Sequence, residues 1–368
     1  MHFQTESATQ LLSTAFLRRV VEPSQGVPVI GHFGDDLPLH VVRAFGAVPS
    51  CIKLAPEDED LQASAIEGLL EPFMDDFARQ FLLRFAAGHL DGMAGLVFSR
   101  DDAAAFTAYQ YATEFRRQGI AGRQAPPLHL WNFLHSDTVP VAAFNRVQLQ
   151  RLQDFLMVVS GTRQPRLAGD GDELQQAALD RLQALQAESP CRISGREALV
   201  WRNAGRWLSP EVHAKALEAA FQGAVQPGHV ARIALVGSAT CSLPFYETIE
   251  QCGTVVCDLQ PFGRYRASAE QNDEAWLLAE ARDDLHPRGV PAERYRPALL
   301  KHIVDARCDL VISQVDRNDD TFGWEVPALS KALKARGIRF VDLGFRPMRP
   351  DDQWLAAAAA RIAGVVAS

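Results

Sequence analysis

Several familiar signatures are missing from this sequence of 368 residues. It has no G-x-G-x-x-G, no G-K-[ST] and no G-x-S-x-G, which removes the usual grounds for a dinucleotide site, a phosphate loop or a nucleophile-elbow hydrolase. The six cysteines, Cys51, Cys191, Cys241, Cys252, Cys257 and Cys308, show no C-x-x-C spacing; reduced, mostly buried thiols of a cytosolic protein are the expectation. Basic residues are outnumbered, giving a net charge of −8, which argues against a nucleic-acid or anionic-membrane surface. Apolar runs stay short of the ~18 residues of a membrane span, and the opening residues lack the basic and apolar regions of a secretory signal. A cytoplasmic location with no nucleic-acid or membrane partner is therefore expected.

What remains is a chain that is 47% hydrophobic and 22% charged, enough apolar material for more than one core. Nearly continuous apolar runs predict strands at VPVIGHF, PSCIKL, GMAGLVFS and PPLHLWNFL, then again at RIALVGS, TVVCDL, CDLVISQV and RFVDLGF. Such runs suit parallel strands covered on both faces. Helical stretches between them, such as DAAAFTAYQYATEFRRQG and VPALSKALKARG, stop at glycines. The segment from about Pro140 to Gln226 is instead rich in Leu, Ala, Gln, Arg and Glu with helical spacing, and Ser194 with Glu197 has the form of a capping box. The predicted fold class is α/β: two duplicated Rossmann-like domains with short parallel sheets, joined by a helical segment. The expected boundaries are 1–140, 141–226 and 227–368.

The duplication is read from GHFGDDLP against GSATCSLP, which pairs Gly31 with Gly237, Leu37 with Leu243 and Pro38 with Pro244. A constant offset then pairs Asp91 with Asp309, Asp101 with Asp319, Asp102 with Asp320 and Gly119 with Gly337. Ligands of open α/β sheets bind beyond the carboxyl ends of the strands, so the loops after the matching strands should share one cleft. Helices opening at Pro38 and Pro244 could turn free N–H groups toward an anion there.

In order and spacing, GHFGDDLPLHVVRAFGAVPSCIKL, LDGMAGLVFSRDD, PCRISGREAL, VARIALVGSATCSLPFYETIEQCGTVVCDLQPFGRYR and CDLVISQVDRNDD with its following helix and strand resemble the 2-hydroxyacyl-CoA dehydratase and benzoyl-CoA reductase catalytic subunits. The resemblance implies the two-domain fold, dimerisation, an acyl-CoA-like ligand, and a [4Fe-4S] cluster held by cysteines at the cleft, since such irons are held mainly by sulfur. This sequence departs from that pattern. The implied cysteine positions fall at about Gly34, Arg100, Asn318 and Pro261. No cofactor is therefore assigned, and a cluster would need non-standard ligands. The expected partners are an acyl-CoA-like small molecule and a second chain, in a homodimer or a heterodimer with a family paralogue. In the second case the chain would be a cluster-free structural or regulatory subunit.

Candidate ligand-contacting residues follow from the cleft argument: His32 and Asp35, Ser99, Arg100 and Asp101, Ser238 and Cys241, Arg264, and Arg317 with Asn318. Asp35 and Asp36 also fit a solvated turn beside a partly buried His32, and the aspartates after the matching strands fit helix caps. Arg100 and Arg317 are expected to pair with Asp101 or Asp319 in place of a cluster, or to grip a carboxylate or phosphate. Arg264 and Arg266 could hold a CoA phosphate or mark a solvated strand end, and His286 reads as part of an exposed loop.

Overall fold

The computed structural model describes residues 2–56, 59, 66–122, 124–166, 169–224, 231–266, 272–286 and 289–367, without the side chains of 2–6, 170 and 320. In chain order the elements are α1 (His2–Arg18), β1 (Val29–Phe33), α2 (Leu39–Ala44), β2 (Val48–Cys51), α3 (Asp76–Ala86), β3 (Gly95–Ser99), α4 (Ala103–Gln118) and β4 (Leu128–Trp131). Next come α5 (Val139–Ser160), α6 (Asp170–Ala187), α7 (Gly195–Ala204) and α8 (Pro210–Phe221). The second sheet unit holds β5 (Arg232–Gly237), α9 (Leu243–Ile249), β6 (Thr254–Asp258), α10 (Asp273–Ala281), α11 (Ala292–Asp305), β7 (Leu310–Asp316), α12 (Asp320–Lys334), β8 (Arg339–Arg346) and α13 (Asp352–Val366). Every predicted strand is present, and the helical block lies between the sheets in the sequence. The expected boundary near residue 226 lies outside the described residues.

Both sheets are wholly parallel and have the same order, β2-β1-β3-β4 and β6-β5-β7-β8. Burial explains the composition of the strands: β3 and β7 are buried along their whole length, as parallel strands between helical layers must be. Local signals set the helix ends. Asp102 caps α4 through Ala105 N–H, and Gly119 in the left-handed region (φ +71°) ends it. Ser194 and Glu197 form the predicted capping box of α7.

The two halves correspond, but not residue for residue as the sequence suggests. Gly34 (φ +124°) follows β1 and Gly237 (φ +123°) closes β5, so Gly237 matches Gly34 rather than Gly31. The caps of α4 and α12 are Asp102 and Asp319, one residue away from the pairing of Asp101 with Asp319. The loop from Gly237 to Leu243 is three residues longer than that from Gly34 to Leu37, and an alignment anchored on the Leu-Pro pairs absorbs this difference in the strand. α2 has only six residues and no side-chain cap, and Ser242 caps α9 through Phe245 N–H.

One apolar cluster runs from Phe33, Phe81 and Phe98 through Trp201 and Leu217 to Ile233 and Ile312, joining both sheets and the helical block. Helix α1 packs on α7 and α8. Among the described residues no helix is long and apolar enough to cross a membrane.

At Gly237 an added Cβ would run into the Gln314 carbonyl oxygen of the neighbouring strand, whereas at Gly119 nothing lies within 4 Å. Gly237→Ala is expected to lower unfolding free energy by about 3 kcal/mol, against about 1 kcal/mol for Gly119→Ala, where only the backbone conformation objects. Urea midpoints of the two variants, at unchanged m-value, measure the difference.

Candidate functional site: a charged cleft between the sheets

The loops beyond β1, β3, β5 and β7 enclose a cleft of about 250 Å³. Asp35, Lys53, Asp101 and Asp102 line it from one side, and Ser238 and Asn318 from the other. Asp35 is the junction. Its backbone N–H donates to Asp101 Oδ2 at 2.7 Å, its carboxylate accepts from Arg206 Nη1 at 2.5 Å, and its carbonyl accepts from Arg266 Nη1 at 2.8 Å. Burial alone would raise its pKa; the guanidinium of Arg206, then Lys53 and Arg266, hold it below the usual carboxylate range.

Lys53 is 4% exposed and forms a 2.5 Å ion pair with Asp102. Its ammonium lies 5.4 to 5.7 Å from the ring centroids of Phe33, Phe77 and Phe262, an aromatic cage for a cation. Burial works against this charge, but Asp102, Asp101 and Asp35 keep the ammonium above its usual value. Asp101 is displaced the opposite way: burial, then the neighbouring Asp102, raises its carboxyl. Its Oδ1 has no hydrogen-bond partner among the described residues. Asp75, also in the wall, is pushed up to about 7 by burial and then by Asp102. On the other side, Ser238 Oγ donates to Asp319 Oδ2 at 2.7 Å and accepts from Asp316 N–H at 2.8 Å. Asn318 Nδ2 reaches across to the Met74 carbonyl at 3.3 Å.

Several sequence expectations change here. Asp35 and Asp36 are not a solvated turn: Asp36 is 1% exposed, and the two side chains part company, Asp35 to Arg206 and Asp36 toward His135. His32 is buried rather than partly so; burial and then Arg206 lower its pKa to about 4, and it faces a neighbouring cavity. Arg100 turns to solvent, against Asn132 and the Phe106 ring, and Arg317 is largely exposed opposite Asp76 at 3.6 Å. Neither arginine lines the cleft, where Lys53, Arg264 and Arg266 are the basic residues. Arg264 is no solvated strand end: it is buried in a two-bond pair with Asp283, and Arg266 grips Glu280. Cys241 lines a separate cavity beside Arg346, its thiol pushed up to about 12 by burial. Ser99 is buried against Gly34. His286 is buried and lines the cleft, not an exposed loop.

The profile of the family described as 2-hydroxyglutaryl-CoA dehydratase, D-component, matches residues 36–357. The chain belongs to this family. No curated protein matches it. In the dehydratase family framework, the position resembling the opening cysteine, Gly34, lies just before the matched span. A Cβ at Gly34 would overlap Ser99 Cβ and lie 2.7 Å from Ser99 Oγ, at a φ of +124°. None of the residues lining the cleft is a cysteine: Cys257 lies beside Cys308 in the second apolar cluster, and Cys241 and Cys51, near each other and Arg206, lie in the first. The residues present therefore do not fit a cluster held by cysteines at this site.

Sequence reasoning missed Lys53, Arg206 and Asp75. A single lysine inside the apolar run SCIKLAP was the available signal for Lys53, since an unaccompanied charge among buried residues needs a partner. Nothing in the helical block marked Arg206.

Two outcomes are expected. Gly34→Cys should cost about 3 kcal/mol, with part recovered when Ser99→Gly removes the obstructing Cβ; denaturant midpoints of the single and double variants decide, and full stability in the single variant would contradict the packing. The second concerns pH. Folded Asp75 keeps its proton up to about 7, while the unfolded side chain loses it near 3.8. Between those values the folded state binds more protons, so this group's contribution to stability falls as pH rises. Asp75→Asn, which can still cap α3, should flatten that part of the stability profile in urea titrations across the window.

Proposed function

We propose that this chain is a 2-hydroxyacyl-CoA dehydratase-like subunit that binds an acyl-CoA-type thioester in the cleft between the sheets, without a family-type [4Fe-4S] cluster. The observation that carries the ligand reading is Asp101. Its side chain lines the cleft and its carboxyl is biased toward the protonated form, with Oδ2 accepting the Asp35 N–H and the unpartnered Oδ1 buried in the wall beside Gly34. A neutral carboxylic acid can donate to a carbonyl or hydroxyl oxygen, which a carboxylate cannot.

The charge distribution supports the same placement. A groove lined by Arg264, Arg266, Arg282, Arg294 and Lys301 shares its first two arginines with the cleft. Arg264 and Arg266 are fixed by Asp283 and Glu280; the groove also carries Asp284 and Glu293, so the phosphates of a CoA tail would take guanidinium and ammonium groups that are now paired with carboxylates. The acyl end then lies against Asp101 and the Lys53–Asp102 pair. With glycine, arginine, asparagine and proline at the positions that the family pattern gives to cysteine, the cluster-free state supports a second role: partner of a cysteine-replete paralogue in a heterodimer.

Anaerobic purification with iron and sulfide analysis, followed by calorimetric titration with a short-chain 2-hydroxyacyl-CoA, tests the reading. The expected result is protein without stoichiometric iron that binds the thioester, with affinity reduced by about tenfold in Asp101→Ala. Stoichiometric iron and sulfide overturns the cluster-free state, and no thioester binding overturns the ligand assignment. Co-purification with a paralogue that carries the cysteines, in the absence of thioester binding to the isolated chain, selects the partner role.

A further inference from the structure

Behind the cleft wall, two residues from each half converge. Asp36 follows β1 and His135 follows β4; Glu280 lies in the last turn of α10, and His286 lies a few residues beyond it. His135 Nε2 is 3.6 Å from Asp36 Oδ2 and 3.6 Å from Glu280 Oε1. These separations are too long for hydrogen bonds. They are close to the spacing of two ligands around one ion, because tetrahedral bonds of about 2.0–2.1 Å place donor atoms about 3.3–3.5 Å apart. One donor atom each from Asp36, His135 and His286 lies within 4.8 Å of the others.

The electrostatics of the group also call for a cation. Asp36 is 1% exposed and His135 8%; His135 Nε2 has no hydrogen-bond partner among the described residues, and the donor beside the Asp36 carboxylate is the Ser99 hydroxyl. A buried carboxylate short of donors is costly, and the acidic side chains of Asp101 and Glu280 lie close to it. The backbone around the group is held in place: Trp131 Nε1 donates to the Asp36 carbonyl at 2.9 Å. Arg266 orients Glu280, as outer partners of metal-binding carboxylates commonly do.

We propose that Asp36, His135, Glu280 and His286 form a site for a divalent transition ion of the Zn2+ class, which staples the two halves together. Two carboxylates balance the charge of the ion, and imidazole with carboxylate is a fitting donor set for it. His286 is the ligand that moves. Its ring stacks on His135 with centroids 3.8 Å apart, and its Nδ1 accepts from Gly289 N–H at 2.9 Å. Stacked rings aim their lone pairs side by side, so this ring turns out of the stack to meet an ion held by His135. Because His286 also lines the cleft, the ion has a path to enter. The site stands independently of the thioester reading.

The test uses full-length protein stripped with a chelator and titrated with ZnCl2, with CoCl2 as a spectroscopic probe. One equivalent of Zn2+ should bind with Kd of about 1 μM or tighter and raise the thermal midpoint. Co2+ should give a tetrahedral ligand-field spectrum without thiolate charge-transfer bands. Asp36→Asn and His135→Ala should each weaken binding by about 100-fold or more, while Cys241→Ala leaves it unchanged. If His135→Ala does not fold, the near-isosteric Asp36→Asn carries the comparison. Equal Zn2+ affinity in wild type and Asp36→Asn, thiolate bands with Co2+, or no binding at all overturns the assignment.

Discussion

The contacts of Asp35 are the constraint around which the rest of the molecule is arranged. Through its N–H, carboxylate and carbonyl, one residue of the loop after β1 ties down Asp101 in the same half, Arg206 in the helical block and Arg266 in the second sheet unit. Two of these bonds come from guanidinium groups and all three are shielded from water, where such hydrogen bonds are strong and an unpaired partner is expensive. A loop that must satisfy three directions at once leaves little latitude in its backbone. That restriction accounts for the left-handed Gly34 immediately before it and the buried Asp36 immediately after.

The same constraint bears on what the cleft holds. Beside Asp35 there is a buried ammonium inside three aromatic rings, balanced by Asp102 and flanked by Asp101. Buried ions are stable only when paired and hydrogen-bonded, and Lys53 and Arg206 each have an acidic partner at 2.5 Å. Burial and the neighbouring Asp102 displace the pKa values of Asp75 and Asp101 upward, while that of Asp35, in direct contact with Arg206, moves downward.

The architecture was more legible in the sequence than the site. Continuous apolar runs such as LVISQVD have little alternative to a covered parallel strand, and Ser194 with Glu197 is a local cap that needs no tertiary knowledge. Cleft residues that follow strand ends, including Asp35, Asp101, Ser238 and Asn318, were found because topology places them there. What escaped was burial in the loops. Asp36 and His286 sit in polar stretches that read as solvated, and only the approach of distant segments, which local sequence does not encode, encloses them. The outward turn of Arg100 and Arg317 has the same origin, since strand-end position fixes where a residue starts and its neighbours decide where the side chain goes.

Contacts that cross the cleft also bear on how fast it can exchange its contents. Arg266 to the Asp35 carbonyl, Asn318 to the Met74 carbonyl and Lys53 against Phe262 each join the two sheet units. A hinge-like opening would break all three together. Phe73 stands at the rim, 72% exposed, and a turn of this one side chain breaks none of them. Side-chain rotation of an exposed residue takes picoseconds to nanoseconds, whereas domain motion takes microseconds to milliseconds. Motion of the Phe73 side chain therefore disturbs none of the contacts that hold the two sheet units together.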